Sequence, residues 1–372
     1  MLENKEKSVK SVGFQKMLYI CMAKSARNDH LCTKETWRKR MKPKANGVKD
    51  IDIHIITRSE ELPELDGSNF FHSPLLFRMA EQTPGLTPYM VVACQKNGTP
   101  LAHLLAMLRR RGSWIPPYLF TQGRVYGEGV YADEEHKEEL FALMLSAITT
   151  KLHRQLCLYI EFSDIGKKMF GYKSFRQNGY FSIGWMQIHN SLHSKSPELR
   201  IDEDVLEHIH HAYDNGAVTR EARNEEEVMA VFRLLKRYYR FRFQRFIPDV
   251  SMFMQLHKSR HGSVNVTIYR GKVIGGSIVA YSEKNAYLWF EASKKKRYPL
   301  LRPHMLTVWH ALKDSYDRQR EHIFFMNVGL PFRKNLYREF ILHFGGKPVS
   351  TFRWFHFTFH WLNRLLAWVY RE

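Results

Sequence analysis

The sequence predicts an α/β protein made of two tandem copies of one unit, each a mixed, largely antiparallel sheet flanked by helices. Three observations carry this. Two strand–turn–strand segments with glycine at the turn stand about half a chain apart, the pattern of β-hairpins. Each is followed by a long amphipathic helix, a short apolar strand, and a short helix closed by glycine. Matched landmarks also keep one spacing: 271 − 98 = 173 for the turn glycines, 325 − 160 = 165 for the apolar strands, 345 − 179 = 166 for the closing glycines. A period this long means duplicated domains, since solenoid repeats run about 20–50 residues.

At 372 residues the chain is long enough for two domains. A hydrophobic fraction of 44% with 25% charged residues excludes disorder, collagen and coiled coil. The 57 Lys+Arg against 37 Asp+Glu leave a formal charge of +20. That surplus points to nucleic acid, an anionic membrane face or a phosphorylated substrate as partner.

Residues 1–49 are basic, lack a periodic apolar face and are expected to be a disordered extension, with a nucleic-acid-binding arm as the alternative. The first domain is predicted over 50–195. Its hairpin joins Pro88–Cys94 to Leu101–Leu108 through Asn97-Gly98. Its helix opens after Asp133 and carries Leu140, Phe141, Met144, Ile148 and Leu152 on one face. The strand 156–162 follows, then Phe175–Tyr180 with its glycine. The second domain, over 196–350, repeats the order. Its hairpin is 264–281 with Arg270-Gly271 at the turn, and its helix starts at Pro303 with Met305, Val308, Trp309, Leu312 and Tyr316 inward. The strand 323–329 and the closing Phe344-Gly345-Gly346 complete it. Over 351–372, aromatic residues alternate as in a strand and then form a short amphipathic helix. Packing across the two domains and shallow insertion at a membrane surface are the two readings of this tail.

The four cysteines form no CxxC, and Cys94 and Cys157 fall in apolar strands, so no disulfide framework is expected. No apolar stretch approaches the roughly 18–20 residues of a membrane-spanning helix. Cytoplasm is the expected compartment, with peripheral contact to the inner membrane face as a variant.

The order of elements resembles the tandem acyltransferase fold, of the GNAT type, of the FemABX-like proteins. The likeness is closest over 204–348: Asn215-Gly216-Ala217-Val218 after a helix, the hairpin around Arg270-Gly271-Lys272, the strand Tyr287–Ser293, and Phe344-Gly345-Gly346. The resemblance implies an acyl- or aminoacyl-transferase that makes an amide bond on an amine, in envelope (peptidoglycan or related) biosynthesis. It implies aminoacyl-tRNA as donor, with acyl-coenzyme A as the alternative, an amine-bearing envelope precursor as acceptor, and no tightly bound cofactor. A non-catalytic polyanion-binding scaffold of the same fold is the other reading. The chain departs from the family at Asn327-Val328-Gly329, where an acidic-glycine signature is common, and in the acidic helix before Asn215.

Aminolysis needs a neutral amine, a proton acceptor and donors to the oxyanion, which this fold takes largely from backbone N–H groups beside a strand bulge. Glu291 is the expected base, Tyr298 the proton donor, and Asn327 a cleft-lining amide. Arg297 and Arg302 are expected to hold phosphate or carboxylate. After the helix cap Asn224 and its partner Glu227, Arg233, Lys236, Arg237 and Arg240 form a basic stripe beside the apolar face, read as a polyanion site or as a solvated face. His208, His210 and His211 lack a matching ligand set, so no metal is expected. Acyl-coenzyme A transferases of this fold cradle pyrophosphate on a glycine-bearing loop. The loops here, Arg297–Pro303 without glycine and Tyr126–Asp133 with two acids, predict weak coenzyme A binding.

Overall fold

The computed structural model describes residues 51–112, 119–163, 166, 168–240, 246–326, 328–331 and 334–370; the basic extension lies outside them. Residues 50–109 and 122–372 cluster as one unit, and the other, 1–49 with 110–121, is described only at two strand ends.

The first half runs β1 (Ile51–Ile56), α1 (Pro74–Glu81), β2 (Leu86–Gln95), β3 (Pro100–Gly112), β4 (Leu119–Tyr126), β5 (Val130–Tyr131), α2 (Lys137–Arg154), β6 (Tyr159–Ser163), α3 (Tyr172–Gln177) and β7 (Phe181–Ser191). The second runs α4 (Glu203–Asp214), β8 (Ala217–Glu221), α5 (Glu225–Tyr238), α6 (Val250–Lys258), β9 (Gly262–Tyr269), β10 (Lys272–Ser282), β11 (Asn285–Ser293), α7 (Pro303–Asp317), β12 (His322–Phe325), α8 (Leu336–Leu342), β13 (Lys347–Phe357) and α9 (His360–Val369). Both predicted hairpins form, β2–β3 and β9–β10, and both turn glycines have positive φ, 85° and 71°.

The strands join into one sheet in the order β1-β2-β3-β4-β6-β13-β7-β12-β11-β10-β9-β8, with β5 on β3. The closing strands of the halves are exchanged. β13 lies between β6 and β7, and β7 lies between β13 and β12, so each half's last strand borders the other half's parallel pair. Their antiparallel register runs from Lys347↔His189 to Phe355↔Phe181. The offset of 166 seen between Gly179 and Gly345 carries Phe181 to Lys347 and His189 to Phe355, so the pairing maps onto itself about Trp185↔Thr351. The expected boundary at 350/351 therefore falls inside β13, which is an integral sheet strand.

Among the described residues, three of four hydrophobic clusters pack helices on the sheet, and the fourth seats α9 on Phe181. One, with α1, α5 and α6, is shared by both halves and holds Phe70, Phe71, Tyr126, Trp289 and Phe290. A second packs α2 on the first half through the predicted Leu140, Phe141, Met144, Ile148 and Leu152, and receives Phe352 and Trp354 from β13. A third packs α4, α7 and α8 on the second half. Asn224 caps α5 by accepting from Glu227 N at 2.9 Å, as the sequence predicts. The Glu227 carboxylate takes the Arg220 guanidinium on both oxygens. Cys94 and Cys157 are buried free thiols. No helix among the described residues is long and apolar enough to cross a membrane.

Candidate functional site

The two halves differ in how far their parallel strands stay paired. In the first, β4 and β6 pair in parallel from Gln122↔Tyr159 to Tyr126↔Ser163, and Gly127 N still donates to Ser163 O at 2.7 Å. In the second, the equivalent pairing starts at Asn285↔His322 and stops at Leu288↔Phe325. The register of β11 on β10 then slips: Ile278 faces Phe290 and Val279 faces Leu288, which leaves Trp289 as the bulged residue. Beyond it, β11 continues to Ser293 while β12 has ended, so the strands part. Such a bulge turns backbone N–H groups out of the ladder and into the opening, where they can hold an oxyanion.

Two glycines set the walls of this opening. A Cβ on Gly275 would lie 2.4 Å from Thr307 Oγ1, and one on Gly276 would lie 2.6 Å from Val231 Cγ2. Neighbouring strand residues face opposite sides. Gly275 thus lets α7 approach one face, where Thr307 and Thr267 share a 2.9 Å hydrogen bond, and Gly276 lets α5 approach the other.

The turn after β11 is strongly cationic. Lys294 Nζ donates to Val273 O at 2.7 Å. Burial, and then Arg297, Arg237 and Lys272, press its ammonium below the usual lysine range. A cavity of about 370 Å³ at the N-terminus of α7 is lined by Lys295, Lys296, Pro299, Arg302, His304 and Met305. The unpartnered N–H groups of a helix start favour an anion there. Burial and the charges of Lys295 and Arg302 push His304 down to about 4, so it is neutral at pH 7.

The sequence-predicted residues separate. Arg237 and Arg297 act on the same lysine, and Arg302 lines the cavity. Arg233, Lys236 and Arg240 are exposed, with Lys236 Nζ 5.4 Å from the centre of the Phe232 ring. Glu291 is half-buried on β11, and its carbonyl accepts from Tyr239 Oη at 3.1 Å. Tyr298 packs edge-on to Tyr269, ring centres 6.1 Å apart, against the α7 core. Asn327 lies outside the described residues.

A second polar feature lies in the first half, outside the residues singled out from the sequence. Gln122, Arg124 and Tyr126 on β4, and Glu161 and Ser163 on β6, alternate with apolar residues and form a buried polar band. Glu161 is ion-paired to Arg124 and to Arg353 of β13 (3.2 Å), and takes a hydrogen bond from Gln122 at 2.8 Å. Burial works to raise its carboxyl, and the two guanidiniums overcome that and hold it below the usual range. Tyr126 ends the band: Arg109 donates to its hydroxyl at 3.0 Å and Trp289 Nε1 at 3.3 Å. Period-two polarity in two strands meant to be central was the available signal.

Residues 207–334 match the family described as "Acetyltransferase (GNAT) domain". No curated protein matches the chain. Among solved structures the chain is similar to FemX, at TM-score 0.56 and 9% identity, covering 84% of this chain and 100% of that one. It is also similar to a tandem GNAT protein from the clavulanic acid biosynthesis pathway, at TM-score 0.51 and 9% identity over 82% and 99%. A third likeness is the C-terminal domain of a putative lysylphosphatidylglycerol synthetase from Agrobacterium fabrum, at 0.51 and 11% over 81% and 92%. The predicted tandem GNAT-like fold is borne out.

Proposed function

We propose that this chain forms an amide bond by passing an acyl or aminoacyl group to an amine, with the reacting carbonyl held at the β11 bulge. The observation that carries the reading is the parting of β11 and β12 beside the cation group of Lys294, Arg297, Arg237 and Lys272. A donor with phosphates is anchored there while its carbonyl reaches the backbone N–H groups near Trp289. Glu291, on the same strand, supplies a carboxylate that draws in the protonated acceptor.

The donor we favour is aminoacyl-tRNA. The cations extend from the α7 cavity to the exposed stripe of α5, a span that suits a polyphosphate backbone. A second donor, acyl-coenzyme A, is favoured by the cavity itself, whose volume and three flanking cations suit a diphosphate. The acceptor we favour is an amine-bearing envelope precursor. Trp361 and Trp368 on the outer face of α9, 38% and 71% exposed, supply the contact with an anionic membrane that such a lipid-linked acceptor requires.

Calorimetry with total tRNA charged with amino acids, and in parallel with acetyl-coenzyme A, tests the donor. Tight, salt-sensitive binding of tRNA with weak coenzyme A binding is expected. Low-micromolar acetyl-coenzyme A binding would make the chain an acyl-coenzyme A N-acyltransferase.

A further inference from the structure

Resting on the transfer reaction proposed above, we propose that Tyr126, a first-half residue, takes the proton from the acceptor amine at the second-half bulge. The geometry is specific. Trp289 is the bulged residue of the opening, and its indole Nε1 donates to Tyr126 Oη at 3.3 Å. Arg109 donates to the same oxygen at 3.0 Å. An indole N–H and a guanidinium donate and never accept. Among the described residues, the phenol oxygen therefore has two donor partners and no acceptor for its own proton. A side chain only 6% exposed does not leave an O–H unmatched without cost, and this arrangement fits the phenolate better than the phenol.

The surroundings agree. Facing Tyr126 are Arg109 from β3, Arg124 from β4, whose guanidinium carbon is 4.6 Å from the ring centre, and Trp289 from β11. Glu161 from β6 is engaged by Arg124 and Arg353, and His72, next to Phe71, bonds the Tyr126 main chain and is kept neutral by burial. Burial alone would raise the phenol, but the charges of Arg109 and Arg124 and the two hydrogen bonds reverse this and bring it to about 8.

In the step itself, the acceptor ammonium first releases one proton to water. The neutral nitrogen attacks the acyl carbon. As the C–N bond forms, the nitrogen's proton passes to the Tyr126 phenolate. The bond from carbon to the donor's oxygen, or sulfur for a thioester, then breaks, and the leaving atom departs with that proton. Tyr126 is returned as phenolate.

Two measurements on the full chain test this. Absorbance at the phenolate band across pH should show one tyrosine ionising near pH 8, absent from Tyr126→Phe. Trp289→Phe, which keeps the ring and removes the N–H, should move that ionisation upward. Transfer to glycinamide, from charged tRNA and from acetyl-coenzyme A, should show kcat rising to a plateau with the same midpoint. Tyr126→Phe should lose that limb and fall about 100-fold, and Trp289→Phe should shift it to higher pH. Should Tyr126→Phe fail to fold, the paired shifts in Trp289→Phe decide. Wild-type rates in Tyr126→Phe, or titrations of the two chains that superimpose below pH 9, overturn the proposal. A wild type that transfers from neither donor, yet shows the Tyr126 ionisation, overturns the proposed function and with it the proton transfer built on it.

Discussion

Tyr126 and Trp289 hold the same position in the two repeats and touch each other. The parallel pairs begin at Gln122↔Tyr159 in one half and Asn285↔His322 in the other, an offset of 285 − 122 = 163 that carries Tyr126 onto Trp289. The phenol oxygen of one accepts the indole N–H of the other at 3.3 Å. The duplication is thus symmetric in position and asymmetric in chemistry: the first half is zipped up to Tyr126, and the second opens at Trp289.

The basic stripe should not act uniformly. Arg237→Glu should weaken tRNA binding more than Arg233→Glu, because Arg237 belongs to the group around Lys294. Fluorescence polarisation across a salt titration measures this. Each lost phosphate contact should reduce the slope of log K against log salt by about 0.9. Equal effects of the two reversals would place the polyanion elsewhere.

Gly275→Ala should destabilise the chain by about 1–3 kcal/mol, the range for forcing a methyl into a packed site. The new Cβ would lie 2.4 Å from Thr307 Oγ1. Adding Thr307→Ala removes that oxygen, so the double variant should recover part of the loss in urea denaturation. Strict additivity would show that the two residues do not meet.

Glu161→Gln should cost more, about 3–5 kcal/mol, because it leaves Arg124 and Arg353 without their buried counter-charge. Thermal unfolding measures it. A change under 1 kcal/mol would mean that the band is solvated.

Acid should destabilise the fold through its neutral histidines. Burial, and then His153, hold His356 at about 4 against 6.5 for the free side chain, and burial brings His72 to about 3. Between those values the unfolded chain binds more protons than the folded one, so stability is full above about pH 6.5 and falls as pH drops toward 4. The melting temperature against pH should follow that curve, and His356→Gln should flatten it. His356 also lies 2.6 Å, nitrogen to nitrogen, from His153, so one proton can be shared on that axis, whereas a second sets two N–H donors against each other where β13 meets α2.

The two faces of α9 should respond differently. Leu362 and Leu366 are buried against Phe181, and Asn363 bonds Phe357 N at 3.0 Å and Gly179 O at 2.7 Å. Leu366→Ala should therefore lower the melting temperature. Trp368→Ser with Trp361→Ser should leave it unchanged and abolish pelleting with anionic vesicles. Vesicle binding that survives the double substitution would remove α9 from the membrane contact.

The amino-acid sequence by itself determined the duplication, both hairpins, the faces of the long helices and the basic stripe of α5. The hairpins, helix faces and stripe are each written in residues within about a dozen positions of one another, as a glycine with positive φ between apolar strands, an apolar period or a cap, and the duplication is the recurrence of these local signals in one order. Tertiary structure decided the rest. The exchange of β7 and β13 depends on which strand edges meet across more than 150 residues, a choice that no local pattern specifies. The bulge at Trp289 is likewise a property of the pairing with β10, not of β11 alone. The polar band was visible as alternation in β4 and β6, but only the arrival of Arg353 from β13 and Trp289 from β11 shows what compensates it and why Tyr126 ends it. Burial turns an ordinary tyrosine into a distinct group because desolvation makes its few partners decisive.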